Sequence, residues 1–196
     1  MKKRKLVSLE KAIDIIRDGD VLFLGALIDS SRPMAAAYEI VRQQKKGLIL
    51  LAECSLAEDI LVGAGCAVAW RGCYTGMANF GLSRATLRKI ESGDFIADDI
   101  GHIDIILGAM AAMAGSPFVG TRATLGSDVL NPHYSRTEEI RQLARDPNKI
   151  PRQKFTLMQD PFYGQGLIKL QPAMPADVAV IHVQQAGEEG TARIDG

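Results

Sequence analysis

The sequence predicts an α/β protein built on an open, mostly parallel sheet flanked by helices. Three observations carry this expectation. Continuous apolar runs at residues 21–24, 48–51 and 66–70 have the length of strands covered on both faces. Amphipathic segments with helix start and stop signals separate these runs. Glycine-containing turns stand between the two kinds of segment, and strand–helix alternation of this kind builds parallel sheets.

Each element has its own warrant. Ser8 can cap a helix over residues 9–17, whose apolar face is Ala12, Ile13, Ile15 and Ile16. Asp18-Gly19-Asp20 turns the chain into the first strand, 21–24. Pro33 suits the first turn of a helix that continues over 34–44 towards Gly47. The second strand is 48–51. A short helix over 55–62 ends near Gly63 and Gly65, and the third strand is 66–70. Ser83 can cap a helix running to Ser92, with Gly93 as its stop. Residues 95–97 are expected as a short strand. Residues 103–114 form an alanine- and methionine-rich helix stopped by Gly115 and Pro117. From 120 to 151 the chain is polar and loop-like, with one helix over 137–144. Residues 154–158, 166–170 and 178–183 are expected as further strands.

The 196 residues suffice for one domain with a sizeable core, at 47% hydrophobic and 23% charged residues. Twenty-three basic and 23 acidic residues balance to zero, which argues against a nucleic-acid protein. No apolar run approaches the roughly 20 residues of a membrane span, and the basic start lacks the apolar core of a signal peptide. Cys54, Cys66 and Cys73 show no CxxC spacing. Reduced thiols packed as small hydrophobes, a cytoplasmic setting and no metal are therefore expected.

Ligands of open α/β sheets bind beyond the carboxyl ends of the strands, which singles out loops 25–33, 71–83 and 120–130. In the first, small residues ahead of a helix let backbone N–H groups approach an anion; a plain strand-to-helix turn is the alternative. The second has three glycines and two aromatics and is long for a connection. It can line a pocket, or be a surface loop with Met77 and Phe80 packed on the core. In the third, the planar fork of Arg122 can take a carboxylate or phosphate, or form a salt bridge to Asp128.

His102 follows Asp98-Asp99 at a helix start. It can transfer protons, although capping or packing has the stronger claim. His182, in an apolar strand, is expected as a satisfied core histidine. Asp98 and Asp99 are adjacent and so face opposite sides of a strand. No GxSxG elbow, no phosphate-binding GxxxxGK[ST] loop and no complete dinucleotide fingerprint is present.

The order and spacing of several pieces carry a resemblance. These are Ser8-Leu9-Glu10-Lys11-Ala12, Asp18-Gly19-Asp20-Val21, Gly25-Ala26-Leu27, Arg32-Pro33-Met34-Ala35, Asn79-Phe80-Gly81-Leu82-Ser83, the stretch from Thr121 to Leu130, Asp160-Pro161-Phe162 and the run from Asp177 to Gln184. Together the chain resembles the alpha, or A-type, subunit of two-subunit family I coenzyme A transferases of the glutaconate CoA-transferase type. The resemblance implies that family's α/β fold over residues 1–196, with the chain ending before the family's usual C-terminal portion.

It also implies transfer of coenzyme A from an acyl-CoA to a carboxylic acid, through a glutamyl-CoA thioester on a glutamate of a B-type partner. Coenzyme A thioester is then substrate, and no bound cofactor is expected. Gly25, Ala26 and Leu27 stand where the family has Gly-Gly-Phe, so their backbone would stabilise the thioester oxyanion. Arg32, Asn79, Phe80, Gly81, Arg122 and Ser127 would bind substrate. Glu53 and Glu91 lie outside the family's glutamate motif. A related ring-opening hydrolase group carries a glutamate near Asp99 and His102, which makes those two the acid–base candidates. A hydrolase subunit of the same fold and a non-catalytic interaction partner are the alternative readings.

Overall fold

A computed structural model describes residues 5–25, 30–53 and 55–195. Five parallel strands form the main sheet in the order β4-β3-β2-β1-β8. These are β1 (Val21–Gly25), β2 (Leu48–Leu51), β3 (Ala67–Gly72), β4 (Ile96–Asp99) and β8 (Val178–Ile181). Their side chains alternate between two cores. Leu22, Leu24, Leu48 and Leu50 face one side, with Ala37, Ile40, Leu61 and Trp70. Val21, Ile49, Leu51 and Ala69 face the other, with Ile105, Ile140 and Met174. The apolar runs lack a polar face because both faces are buried.

On the first face lie α1 (Leu9–Ile13), α2 (Met34–Arg42), α3 (Leu56–Gly63) and α4 (Arg84–Glu91). Ser8 caps α1, accepting from the Lys11 N–H at 3.3 Å. The helix ends at Ile13 instead of Arg17. The Ile16 N–H turns back to Ile13 O, which drops Ile13 and Ile16 together into the core, and Asp20 accepts from the Arg17 N–H. Ser83 stands before α4 but makes no side-chain cap. Asp59 of α3 replaces it, accepting from the Thr86 N–H at 2.8 Å. A carboxylate is well placed at the positive end of a helix.

The other face carries α5 (His102–Ala114) and α6 (Thr137–Leu143). α5 closes at Gly115, whose φ of 69° is left-handed, with the Ser116 N–H donating to Ala111 O. The largest departure from expectation concerns the C-terminal strands. β6 (Thr156–Gln159) and β7 (Leu167–Pro172) do not extend the parallel sheet. With β5 (Phe118–Thr121), inside a stretch without an expected strand, they form a separate antiparallel sheet ordered β5-β7-β6. This sheet sits on α5 through Lys169–Asp104 and the Met174 N–H to Gly108 O bond. β9 (Gln185–Ala186) and β10 (Ala192–Arg193) pair as a small ribbon. Among the described residues, no helix is long and apolar enough to cross a membrane.

At the carboxyl end of the sheet, Trp70 Nε1 donates to Ala52 O at 2.7 Å and ties β3 to β2. A Cβ on Gly72 would fall 2.0 Å from both atoms of that bond. Gly72→Ala is therefore expected to cost roughly 2–4 kcal/mol, combining overpacking with a disrupted buried hydrogen bond. Urea unfolding checks this, and a loss below about 1 kcal/mol would show that the strand end yields.

Candidate active site

Just beyond the carboxyl ends of β2, β3 and β4, Glu53, Cys73 and His102 come together in a crevice. The chain leaves β2 through Glu53, leaves β3 through Cys73, and leaves β4 through Asp99 into Gly101 and His102, the first residue of α5. His102 Nε2 lies 2.6 Å from Glu53 Oε1. Glu53 is 6% exposed and His102 54% exposed, so the pair joins a fixed carboxylate to an accessible imidazole. Glu53 Oε2 takes Arg32 Nη2 at 3.4 Å, and Arg32 Nη1 donates to Glu58 Oε1 at 2.7 Å. Glu58 is fixed in turn by the start of α3, where its Oε2 accepts from the Ser55 N–H at 3.1 Å. A chain of buried charge thus runs from the start of α3 through Arg32 to Glu53 and out to His102.

Cys73 closes the cluster. Ligand atoms of Glu53, Cys73 and His102 all lie within 4.8 Å of one another. Burial, followed by the charges of Glu53 and Asp99, pushes the Cys73 thiol up to about 12. Such a thiol is a poor nucleophile, because the thiolate is the reactive form.

Arg32 also borders an apolar cavity of about 400 Å³ together with Phe80, Met34, Leu56 and Met77. Asn79 and Phe80 belong to a 3₁₀ turn, Ala78–Phe80, and Phe80 is 82% exposed. Gly81 takes a left-handed φ of 97°, and its carbonyl accepts from the Met77 N–H at 2.7 Å, folding the tip back on itself. Asp99 borders a second cavity of about 560 Å³, with Val129, Tyr134, Arg136 and Lys154. Asp99 keeps an exposed edge, but its partial burial holds the carboxyl above the usual carboxylate range.

The structure brings some of the expected residues together and separates others. Gly25 ends β1 beside Ile181; Ala26 and Leu27 lie outside the described residues. Arg32 reaches the crevice with its guanidinium committed to two carboxylates. Arg122 pairs not with Asp128 but with Asp160, at 2.7 Å, and also donates to Gln165 O at 3.2 Å. Asp160 is available because the turn after β6 aims its other oxygen at the Phe162 and Tyr163 N–H groups.

The expected loop 120–130 begins within the end of β5, a strand of the second sheet, so it does not end a strand of the parallel one. It meets the start of α5 and β7, through Thr124 Oγ1 against Asp104 and Lys169. Ser127 donates to Thr124 O within that loop. His182 is exposed, one residue past β8, and is not a core histidine. Glu53, Glu58 and Cys73 are crevice residues that sequence reasoning did not assemble. The available signal was Glu53 two residues beyond an apolar strand.

The position of Glu58 has a measurable consequence. Burial, opposed by the Arg32 charge, raises its carboxyl from 4.5 to about 7. Below pH 4.5 both folded and unfolded chains are protonated there. Between pH 4.5 and 7 the unfolded chain releases the proton and the folded chain keeps it, so stability falls as pH rises and levels off above 7. Glu58→Gln removes that dependence. Its stability relative to the parent is expected to improve by about 3 kcal/mol across this window. Urea midpoints at closely spaced pH values check the slope, and parallel curves would refute it.

Residues 6–196 match the coenzyme A transferase family. The chain is 32% identical to the A-type subunit of glutaconate CoA-transferase from Acidaminococcus fermentans, over 98% of this chain and 60% of that protein. It is 31% identical to the A-type subunit of 3-oxoadipate CoA-transferase from Pseudomonas knackmussii, over 98% and 62%. The crystal structure of the Acidaminococcus fermentans glutaconate coenzyme A-transferase superposes with a TM-score of 0.89, at 31% identity over 98% of this chain and 60% of that one. A variant of the decarboxylase AibA/AibB superposes at 0.74, with 25% identity over 95% and 64%. The chain thus spans about three-fifths of the length of the transferase subunits it matches. With the sheet order, the crevice and this match over nearly its whole length, the chain belongs to the coenzyme A transferase family.

Proposed function

We propose that this chain serves as the A-type subunit of a CoA-transferase, working with a B-type partner that carries the nucleophilic glutamate. The observation that carries this reading is the match of residues 6–196 to the family, together with the 0.89 superposition on glutaconate coenzyme A-transferase. The partner's glutamate would attack the acyl-CoA thioester and end as a glutamyl-CoA thioester. The acceptor carboxylate would then take the coenzyme A.

In this scheme the present chain supplies crevice walls and backbone donors. Phe80, with Asn79 and Gly81 beside it, would face the acyl chain at the cavity it shares with Arg32. Arg32 would act by fixing Glu53, and the exposed face of Arg122 together with Ser127 would meet a charged substrate end. Two relatives named for glutaconate and 3-oxoadipate favour dicarboxylate acyl groups. Free Cys66 and Cys73 favour a cytoplasmic setting.

A second reading has one observation behind it. His102 with Glu53, at 2.6 Å, is an acid–base pair within this chain, with Asp99 nearby. Transfer through a partner glutamate does not require such a pair, whereas a CoA-dependent hydrolase of the same fold does.

Co-production with the adjacent open reading frame, followed by incubation with acyl-CoAs plus acetate and borohydride trapping, separates the two. Acceptor-dependent exchange with the trapped adduct on a partner glutamate is expected, and this chain alone should be inactive. Turnover of the thioester substrate without acceptor would move the assignment to the hydrolase. An adduct on this chain would overturn the division of labour.

A further inference from the structure

We infer that Glu53, Cys73 and His102 form a binding site for a thiophilic divalent cation of the zinc class. The three residues leave three successive strands of the parallel sheet and bring an oxygen, a sulfur and a nitrogen within 4.8 Å of one another. That donor set selects zinc-like ions over magnesium or calcium, which prefer oxygen alone.

Geometry and field both suit an ion. Glu53 Oε1 and His102 Nε2 are 2.6 Å apart. Ligand atoms at tetrahedral zinc stand about 3.3 Å apart, given metal–ligand bonds of roughly 2.0–2.1 Å. The gap opens by a small swing of His102, which is exposed at the first position of α5. Glu53 need not move, because Arg32 holds its other oxygen and Glu58 holds Arg32. Metal-bound carboxylates are usually oriented by such an outer layer.

The carboxylates of Glu53, Asp99 and Asp104 all lie close enough to act on the Cys73 sulfur electrostatically, with Asp104 also paired to Lys169. A net excess of carboxylates beside the three donor atoms suits a cation. On binding, the S–H bond breaks, its proton leaves to solvent, and the sulfur lone pair bonds the metal. Three protein ligands leave a fourth position open towards the crevice.

Chelator-treated full chain, titrated with Co²⁺ under anaerobic conditions, provides the test. One equivalent is expected to produce a near-ultraviolet thiolate-to-cobalt charge-transfer band with visible bands of four-coordinate cobalt, displaced by Zn²⁺ and untouched by Mg²⁺. Cys73→Ser should abolish the charge-transfer band with its far-ultraviolet circular dichroism unchanged. His102→Ala, at an exposed position that leaves the core intact, should weaken Zn²⁺ binding at least tenfold in competition with a chromophoric chelator. Absence of the band in the parent chain, its persistence in Cys73→Ser, or equal Zn²⁺ affinity in parent and His102→Ala would each overturn the site. None of these readouts depends on transferase activity.

Discussion

Asp98→Ala is expected to cost about 3–5 kcal/mol, the penalty for leaving a buried charge without its partner. Asp98 lies on β4 with no exposed surface, and its carboxylate meets a donor or a cation on four sides. Arg71 Nε stands at 3.0 Å on the neighbouring strand, Thr137 Oγ1 at 2.7 Å, the Arg136 N–H at 3.1 Å, and Lys154 Nζ at 3.7 Å. Arg71 is fully buried, and burial pulls its pKa down; the Asp98 charge is what opposes this. Among the described residues, Arg71 Nη2 and Lys154 Nζ already lack hydrogen-bond partners. Removing the carboxylate would strand Arg71 and leave Lys154 with the charge of Asp99 alone.

A loss of that size is a large part of the roughly 5–15 kcal/mol that holds a domain together. Chemical unfolding of the variant measures it directly. The double variant Asp98→Ala/Arg71→Met should recover much of the loss, since two removed charges cost less than one left alone. A single-variant loss below about 1 kcal/mol would mean that water reaches Arg71, contrary to its burial.

This hub also shows where sequence reading stopped. Alternation on a strand correctly separates Asp98 from Asp99, one buried and one exposed. It does not reveal which side is inside, because β4 is an edge strand whose inner face is covered by α6 and by Lys154, about 40 to 55 residues later in the chain. The central strands were legible for the opposite reason. Leu48, Ile49, Leu50 and Leu51 are apolar on both faces, so no knowledge of the cover was needed. The second sheet was the least legible part. β6 and β7 were expected as strands over 154–158 and 166–170, but β5, only partly covered, was not, and nothing in the sequence joined the three. The pairing of β5 and β6 with β7 is long-range and antiparallel, which local periodicity cannot report.

The crevice divides along similar lines. The loops beyond the carboxyl ends of the parallel strands were readable as a candidate site, and His102 at the start of α5 with them. Glu53 was visible as a residue just past a strand but had no visible partner. Its partners Arg32 and His102 lie 21 residues before it and 49 after it, and Glu58, which fixes Arg32, lies five after it, all joined only by the fold. Arg122 illustrates the converse. Its guanidinium was readable as an anion binder, and the anion it meets within the chain is Asp160, brought by the turn after β6.

Arg32→Met makes the second large prediction, because Arg32 links stability to the crevice. Its guanidinium is the counter-charge for two carboxylates, Glu58 with no exposure and Glu53 with 6%. Without it, the variant is expected to lose about 3–5 kcal/mol at pH 8. The loss should shrink towards pH 5. Deprived of Arg32, the Glu58 carboxyl rises further above its raised value of about 7, so the folded variant holds protons over a wider range than the unfolded chain. Stability of the variant therefore falls with rising pH more steeply than that of the parent.

Arg32→Met/Glu58→Leu removes the buried pair together and should restore most of the stability at pH 8. It should not restore the orientation of Glu53, which loses its support at Oε2 and turns more freely about His102. If the crevice acts through that geometry, the double variant folds normally yet loses affinity for Zn²⁺. A pH-independent loss in the single variant would show that the two carboxylates are not held by Arg32. Unchanged Zn²⁺ affinity in the double variant would show that Glu53 is positioned by other contacts.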